Sequence, residues 1–196
     1  PFHPTSGQSG MVVSQNKLSS DLGIEILNKG GNAVDAAVAV GFSLAITLPR
    51  AGNIGGGGFM LIYIKDKDEL FSIDYRSSSS LNSNLQDIFG SKSPTQIQED
   101  DYDSIKYGYM ASAVPGTVYG LLEAHERFGK LSLKEVLLPV INQANEGIIV
   151  SYDLHNAIDS SDQLKQNSES KRIYFIDNEP LPIGSLLKRP DLAKTF

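Results

Sequence analysis

The apolar positions of this 196-residue chain change period several times, and each change predicts an element. Between Lys17 and Lys29, Leu18, Leu22 and Ile26 recur every fourth residue, the signature of an amphipathic helix, which Gly30-Gly31 would end. Asn32 then stands as an N-cap, with Asp35 in the favourable first turn. From Ala36 to Pro49 no charge interrupts the chain. A membrane span needs about twenty apolar residues. This shorter run, with Asp35 before it and Arg50 after it, predicts a helix buried on most sides. Phe59–Ile64 reads as a buried strand, Lys65-Asp66-Lys67-Asp68 as a polar turn and Glu69–Tyr75 as a second strand, together a hairpin.

The flanking pattern is less regular. Residues 1–10 form a Pro-, Ser- and Gly-rich lead-in, and Met11–Ser14 predicts a short strand. Ser77–Asp103 is polar, a long surface loop with one helical turn around Leu85–Phe89. Gly116–Phe128 predicts a helix with Val118, Leu121, Leu122, His125 and Phe128 on one face. Ser132-Leu133-Lys134-Glu135 is a capping box, opening a helix that turns Val136, Val140, Ile141 and Ala144 inward, with Pro139 as a kink and Gly147 as a stop. Ser151 is expected to cap a polar helix running to about Gln166, Arg172–Asp177 to form a strand, and Pro190 to start a last helix. No repeat or linker divides the chain, so residues 1–196 are read as one domain. The last helix has made under two turns at Phe196, which gives the expectation of a piece of something larger.

Composition narrows the classes of function. A balance of 17 Lys+Arg against 23 Asp+Glu, net −6, argues against non-specific binding of nucleic acid or of an anionic membrane. With no cysteine, disulfides, Cys-ligated zinc and thiol catalysis are excluded. His3, His125 and His155 have no metal-ligand spacing, and His125 lies in an apolar stripe, where packing is the simpler role. The acidic run Glu99-Asp100-Asp101 with Asp103 lacks the Gly and Glu positions of an EF-hand, and Ser77–Ser80 contain no nucleophile elbow. No cofactor or metal is predicted.

The glycine run Gly55–Gly58 is the most conspicuous local feature. It lacks the Lys-Ser/Thr of a phosphate-binding loop, and it lies between a helix and a strand, the reverse of the dinucleotide fingerprint. Two uses remain: close approach of one backbone to another, or positive φ between helix and strand. A run of four fits a packed junction beside a ligand site. Arg76, at the end of the second strand, is the candidate functional side chain, because a guanidinium fork matches a carboxylate bidentately. The alternative is an exposed arginine or a structural ion pair.

In order along the chain stand Gly10-Met11-Val12-Val13-Ser14, Gly30-Gly31-Asn32-Ala33-Val34-Asp35-Ala36-Ala37-Val38-Ala39, Gly55-Gly56-Gly57-Gly58-Phe59-Met60 and Val114-Pro115-Gly116-Thr117-Val118. With the tail from Glu179-Pro180-Leu181 to Pro190-Asp191-Leu192-Ala193-Lys194, they resemble the N-terminal part of a γ-glutamyltranspeptidase, from Gly10 to Phe196. The resemblance implies an α+β fold, the four-layer αββα sandwich of the N-terminal-nucleophile hydrolases, of which this chain would be an incomplete, helix-rich half. It also implies the large-subunit part of a γ-glutamyltransferase or glutathione hydrolase, made as one self-cleaving precursor. In such enzymes a newly exposed threonine attacks a γ-glutamyl amide, its own α-amine serving as base, and the acyl group passes to water, an amino acid or a peptide.

Thr5, Thr47, Thr95, Thr117 and Thr195 do not match the processing motif, so no catalytic residue is assigned to this chain. The implied partners are a C-terminal small subunit from the same precursor and a small γ-glutamyl substrate such as glutathione. One site residue carries over. The family places an arginine just after this hairpin strand, gripping the substrate α-carboxylate, and Ile73-Asp74-Tyr75-Arg76 matches it. Where the family usually continues with Glu and then Ala-Pro, Ser77–Ser80 stand instead. That departure keeps a related acylase and a poly-γ-glutamate-processing enzyme as alternatives; a non-catalytic partner lacking the active half is a separate one. No residue reports a compartment; the resemblance leaves a secreted or periplasmic location open.

Overall fold

A computed structural model describes residues 6–82, 84, 86, 89–98 and 111–196. It divides into two compact units, one comprising the chain up to Ile54 together with Leu121–Phe196, the other Gly55–Gly120.

The first unit is helical. In α1 (Lys17–Asn28), Ser19, Leu22, Gly23 and Ile26 are buried, the spacing of one helix face. Asn16 caps it, its side chain accepting the Leu18 N–H at 2.9 Å, and Gly30 just beyond takes φ +90°. In α2 (Ala33–Thr47) burial reaches almost every side, as its uncharged sequence requires. Its N-terminus carries a reciprocal box: the Asn32 N–H donates to Asp35 Oδ2 at 2.9 Å, and the Asp35 N–H donates back to Asn32 Oδ1 at 3.0 Å.

A second capping box opens α4 (Leu133–Glu146), where Ser132 donates through Oγ at 2.6 Å and through N–H at 2.8 Å to Glu135. Those two bonds, the hydroxyl first, hold the Glu135 carboxyl below its ordinary pKa. The helix runs on through Pro139 and stops at Gly147, φ +92°. The helix before it, α3 (Thr117–Phe128), crosses from the second unit into the first at Leu121. Ile26, Val38, Ala39, Ile46, Ala124, Val136, Val140 and Ala144 have no solvent exposure and form the core. A polar seam crosses it. Ser19 Oγ lies 2.8 Å from both Ser43 Oγ and Thr47 Oγ1, and Ser43 donates to Gln143 Oε1 at 2.6 Å.

After α4 the elements are short. Strand β3 (Ile148–Ile149) pairs antiparallel with β6 (Leu186–Leu187), and β4 (Phe175–Ile176) with β5 (Glu179–Pro180) around Asp177 and Asn178, both at positive φ. Ser151 caps α5 (Tyr152–Asp159), and a break at residues 160–161 separates it from α6 (Asp162–Gln166), so the single helix expected to Gln166 is two. Of the strand expected over Arg172–Asp177, Phe175–Ile176 is strand (β4), whereas Arg172–Tyr174 close helix α7 (Ser168–Tyr174), which begins where Asn167 Oδ1 accepts the Ser170 N–H. Helix α8 (Pro190–Thr195) closes the chain, where Phe196 meets Phe42 edge to face, centroids 5.3 Å apart. Met11–Ser14 is not a strand; no described residue pairs with its backbone.

The second unit holds the hairpin of β1 (Phe59–Ile64) and β2 (Glu69–Asp74), in register from Phe59 opposite Asp74 to Ile64 opposite Glu69. Asp68, φ +51°, turns the corner, and its carboxylate accepts the Tyr63 hydroxyl at 2.8 Å, a bond that raises the phenol's pKa. The run Phe59–Ile64 reads as a buried strand, yet its burial alternates. Ile62 and Ile73 are buried, whereas Phe59, Leu61, Tyr63 and, opposite, Leu70 are exposed. The helical turn expected at Leu85–Phe89 falls partly, and the acidic run 99–103 wholly, outside the described residues.

Candidate functional site

Arg76 follows β2, and the local sequence fixes its backbone on both sides. Before it, Tyr75 and Gly58 exchange two backbone hydrogen bonds, Tyr75 N–H to Gly58 O at 3.0 Å and Gly58 N–H to Tyr75 O at 3.3 Å. After it, Ser78 and Val114 exchange two more, at 3.2 and 2.8 Å. Arg76 is thus held between two antiparallel pairs that use different neighbours. Its own N–H donates to Asp74 Oδ1 at 2.9 Å.

Glycines make the clamp sterically feasible. A methyl group on Gly57 would sit 2.5 Å from Tyr75 O, and one on Gly58 2.8 Å from the edge of the Tyr75 ring. A methyl on Gly116 would overlap the Tyr75 carbonyl, and one on Gly120 the Tyr75 ring itself. Gly116 and Thr117 donate to Gly56 O at 2.8 and 3.1 Å, which ties the start of α3 to the glycine run. None of Gly55–Gly58 takes a positive φ. Of the two uses the sequence leaves open for the run, close approach is therefore the one realised. Burial of the Tyr75 ring in this frame raises its phenol pKa.

The Arg76 side chain itself is exposed, and among the described residues it has no hydrogen-bond or ion-pair partner. A rigid backbone carrying an unengaged guanidinium can take an incoming carboxylate by two parallel N–H···O bonds without first breaking an internal pair. Of the two alternatives considered for Arg76, the structural ion pair has no counterpart among the described residues, and the exposed arginine is what they show.

The other candidates are otherwise engaged. His125 Nε2 lies 2.9 Å from Leu131 O and 3.6 Å from buried Asp35, a packed histidine as its place in the stripe predicts. Val118, expected on the same buried face, is exposed; Ala124 takes its place in the core. A groove of about 470 Å³ beside α1 and α4 carries Asp21 and Glu25, but each pairs with a lysine one turn away, Lys17 and Lys29. Among the described residues no group of three or more His, Asp or Glu is placed to hold a metal ion, and no helix is long and apolar enough to cross a membrane. Sequence reasoning missed Asp74 and the Gly116/Gly120 pair as parts of the Arg76 frame. The signal was present as an Asp two residues before the Arg and two glycines one helical turn apart.

A family model described as gamma-glutamyltranspeptidase matches residues 19–196. The glutathione hydrolase proenzyme of Escherichia coli (strain K12) is 39% identical over 197 residues, taking in 100% of this chain and 33% of that protein. The crystal structure of Helicobacter pylori gamma-glutamyltranspeptidase superposes with a TM-score of 0.86 at 32% identity, over 100% of this chain and 54% of that one. The gamma-glutamyltranspeptidase from Pseudomonas nitroreducens, solved in complex with L-DON, gives 0.82 at 37% identity, over 97% and 54%. The chain spans about a third of the length of the curated relatives it matches. Its helix-rich architecture with small two-stranded sheets is the corresponding part of the N-terminal-nucleophile hydrolase fold.

Proposed function

The chain belongs to the γ-glutamyltranspeptidase family, and from that premise we propose that residues 1–196 are a large-subunit portion of an enzyme that cleaves γ-glutamyl amides such as glutathione. In this reading Arg76 binds the α-carboxylate of the γ-glutamyl group. The nucleophile is a threonine outside these residues, in a small subunit cut from the same precursor. It forms a γ-glutamyl ester, and water, an amino acid or a peptide then takes the acyl group. The name proenzyme borne by the relatives supports the two-chain organisation.

One observation carries the assignment: Arg76 is fixed through its backbone at both neighbours, while its guanidinium has no acceptor among the described residues. A clamp of that kind orients the scissile amide as well as binding it, so its loss weakens substrate capture first. The test is steady-state kinetics of the full-length, processed protein on γ-glutamyl-p-nitroanilide. Arg76→Ala is expected to raise KM by at least about tenfold, since a hydrogen bond to a charged group contributes about 1.5–3 kcal/mol. An unchanged KM overturns the carboxylate-clamp assignment.

A further inference from the structure

We infer that Asp74 is a positioning residue for Arg76: its carboxylate accepts the Arg76 backbone N–H, which neither flanking strand pair takes. The inference rests on the carboxylate clamp proposed above.

The argument starts from ladder geometry. In an antiparallel pair, successive residues present their N–H and C=O groups alternately to one neighbour and to the other side. Tyr75 and Gly58 exchange both bonds, so the Arg76 N–H points away from the glycine strand. On the side it faces, the ladder is a single bridge, Ser78 with Val114. Continuing that bridge would bring Gly116 opposite Arg76, but the Gly116 N–H is turned to Gly56 O. The chain therefore leaves one ladder and joins another at Arg76, and at that crossover the Arg76 amide has no strand partner. Asp74 supplies one at 2.9 Å. Asp has the right length, because its side-chain oxygen reaches the N–H two residues on and closes a turn that mimics a backbone turn.

This bond orients the Cα–Cβ bond of Arg76, and hence the cone that its guanidinium can sweep. Gly57, Gly58 and Gly116 bring no side chain of their own against Tyr75–Ser77, so a side-chain-to-backbone bond adds to the flanking pairs in fixing the direction at Arg76 itself. Asp74 is exposed and takes no part in the core. Its role is legible in substrate capture rather than in stability.

The experiment compares Asp74→Ala, Asp74→Asn and Arg76→Ala, singly and with Asp74→Ala combined with Arg76→Ala, in the full-length processed protein on γ-glutamyl-p-nitroanilide. Asn keeps an Oδ1 acceptor and removes the charge; Ala removes both. Asp74→Ala is expected to raise KM by about threefold to tenfold with kcat within about twofold, and Asp74→Asn to restore KM. Melting temperatures of both variants should match that of the parent. In the Arg76→Ala background, Asp74→Ala should add nothing to KM, because the two act as one unit. A KM that is unchanged or lowered by Asp74→Ala overturns the positioning role, as does an equal effect in the absence of Arg76. If Arg76→Ala itself leaves KM unchanged, it is the clamp that fails, and the positioning role falls with it.

Discussion

Asp35 has no solvent exposure, yet both its oxygens accept hydrogen bonds from main-chain N–H groups: Oδ1 from Lys130 at 3.0 Å, Oδ2 from Asn32 at 2.9 Å, Lys130 at 3.1 Å and Leu131 at 3.2 Å. Gly129 lets the turn come this close, since a methyl there would stand 2.9 Å from Oδ1. The Nε2 hydrogen of His125 goes to Leu131 O, so the histidine helps hold the same turn. One carboxylate thereby ties the start of α2 to the connection between α3 and α4. An amide of the same shape would aim an NH₂ at one or more of those donors. Asp35→Asn should lower the unfolding free energy of the full-length protein by about 2–4 kcal/mol in urea, and a loss under about 1 kcal/mol contradicts this account. The sequence showed half of this arrangement. Asn32 and Asp35 are three residues apart and read directly as a cap, whereas Lys130 and Leu131 lie some 95 residues on and carry no local mark of the contact.

Among the elements, the start of α3 owes its position to two bare Cα atoms. Gly116 and Gly120 lie one helical turn apart, and both come against Tyr75. Gly120→Ala would force the ring aside, an overpacking that costs about 1–3 kcal/mol. Tyr75→Ala should then cost less stability in the Gly120→Ala background than in the parent, a non-additivity that a thermal-unfolding double-mutant cycle measures. Additive effects would mean that the two do not meet. The elements that read correctly from sequence, α1, α2, α4 and the hairpin, each carry their own start and stop: Asn16, the Asn32 and Ser132 boxes, Gly30, Gly147 and the polar turn at Lys65–Asp68. Those that misread lack such closure or depend on distant partners. The β-prone run Ile173-Tyr174-Phe175-Ile176 is split, its first two residues drawn into the helix that Asn167 caps and its last two forming β4, and Met11–Ser14 has strand composition but no pairing partner among the described residues. In β1, an unbroken apolar sequence cannot tell whether one face or two will be covered, and only one is.

For the whole molecule, the decisive fact is proportion. The chain is about a third of the length of its curated relatives, and the unit that carries Arg76 contains a two-stranded hairpin with Phe59, Leu61, Tyr63 and Leu70 exposed. A hairpin of two strands is marginal in water without further strands or a covering layer. Under the reading proposed here, a carboxylate clamp alone cannot cleave an amide: it lowers the entropy cost of orientation, but the bond-making group must come from elsewhere in the precursor. The polypeptide 1–196 expressed alone should therefore release no p-nitroaniline from γ-glutamyl-p-nitroanilide. The full-length precursor should resolve on a denaturing gel into two chains, the smaller beginning with threonine on N-terminal sequencing, and its activity should rise in step with the cleavage. A full-length product that stays a single band and remains inactive would instead assign this chain to a non-catalytic relative. In that outcome the fixed backbone at Arg76 would have to be explained by binding alone, and a γ-glutamyl compound should still show an affinity that Arg76→Ala abolishes.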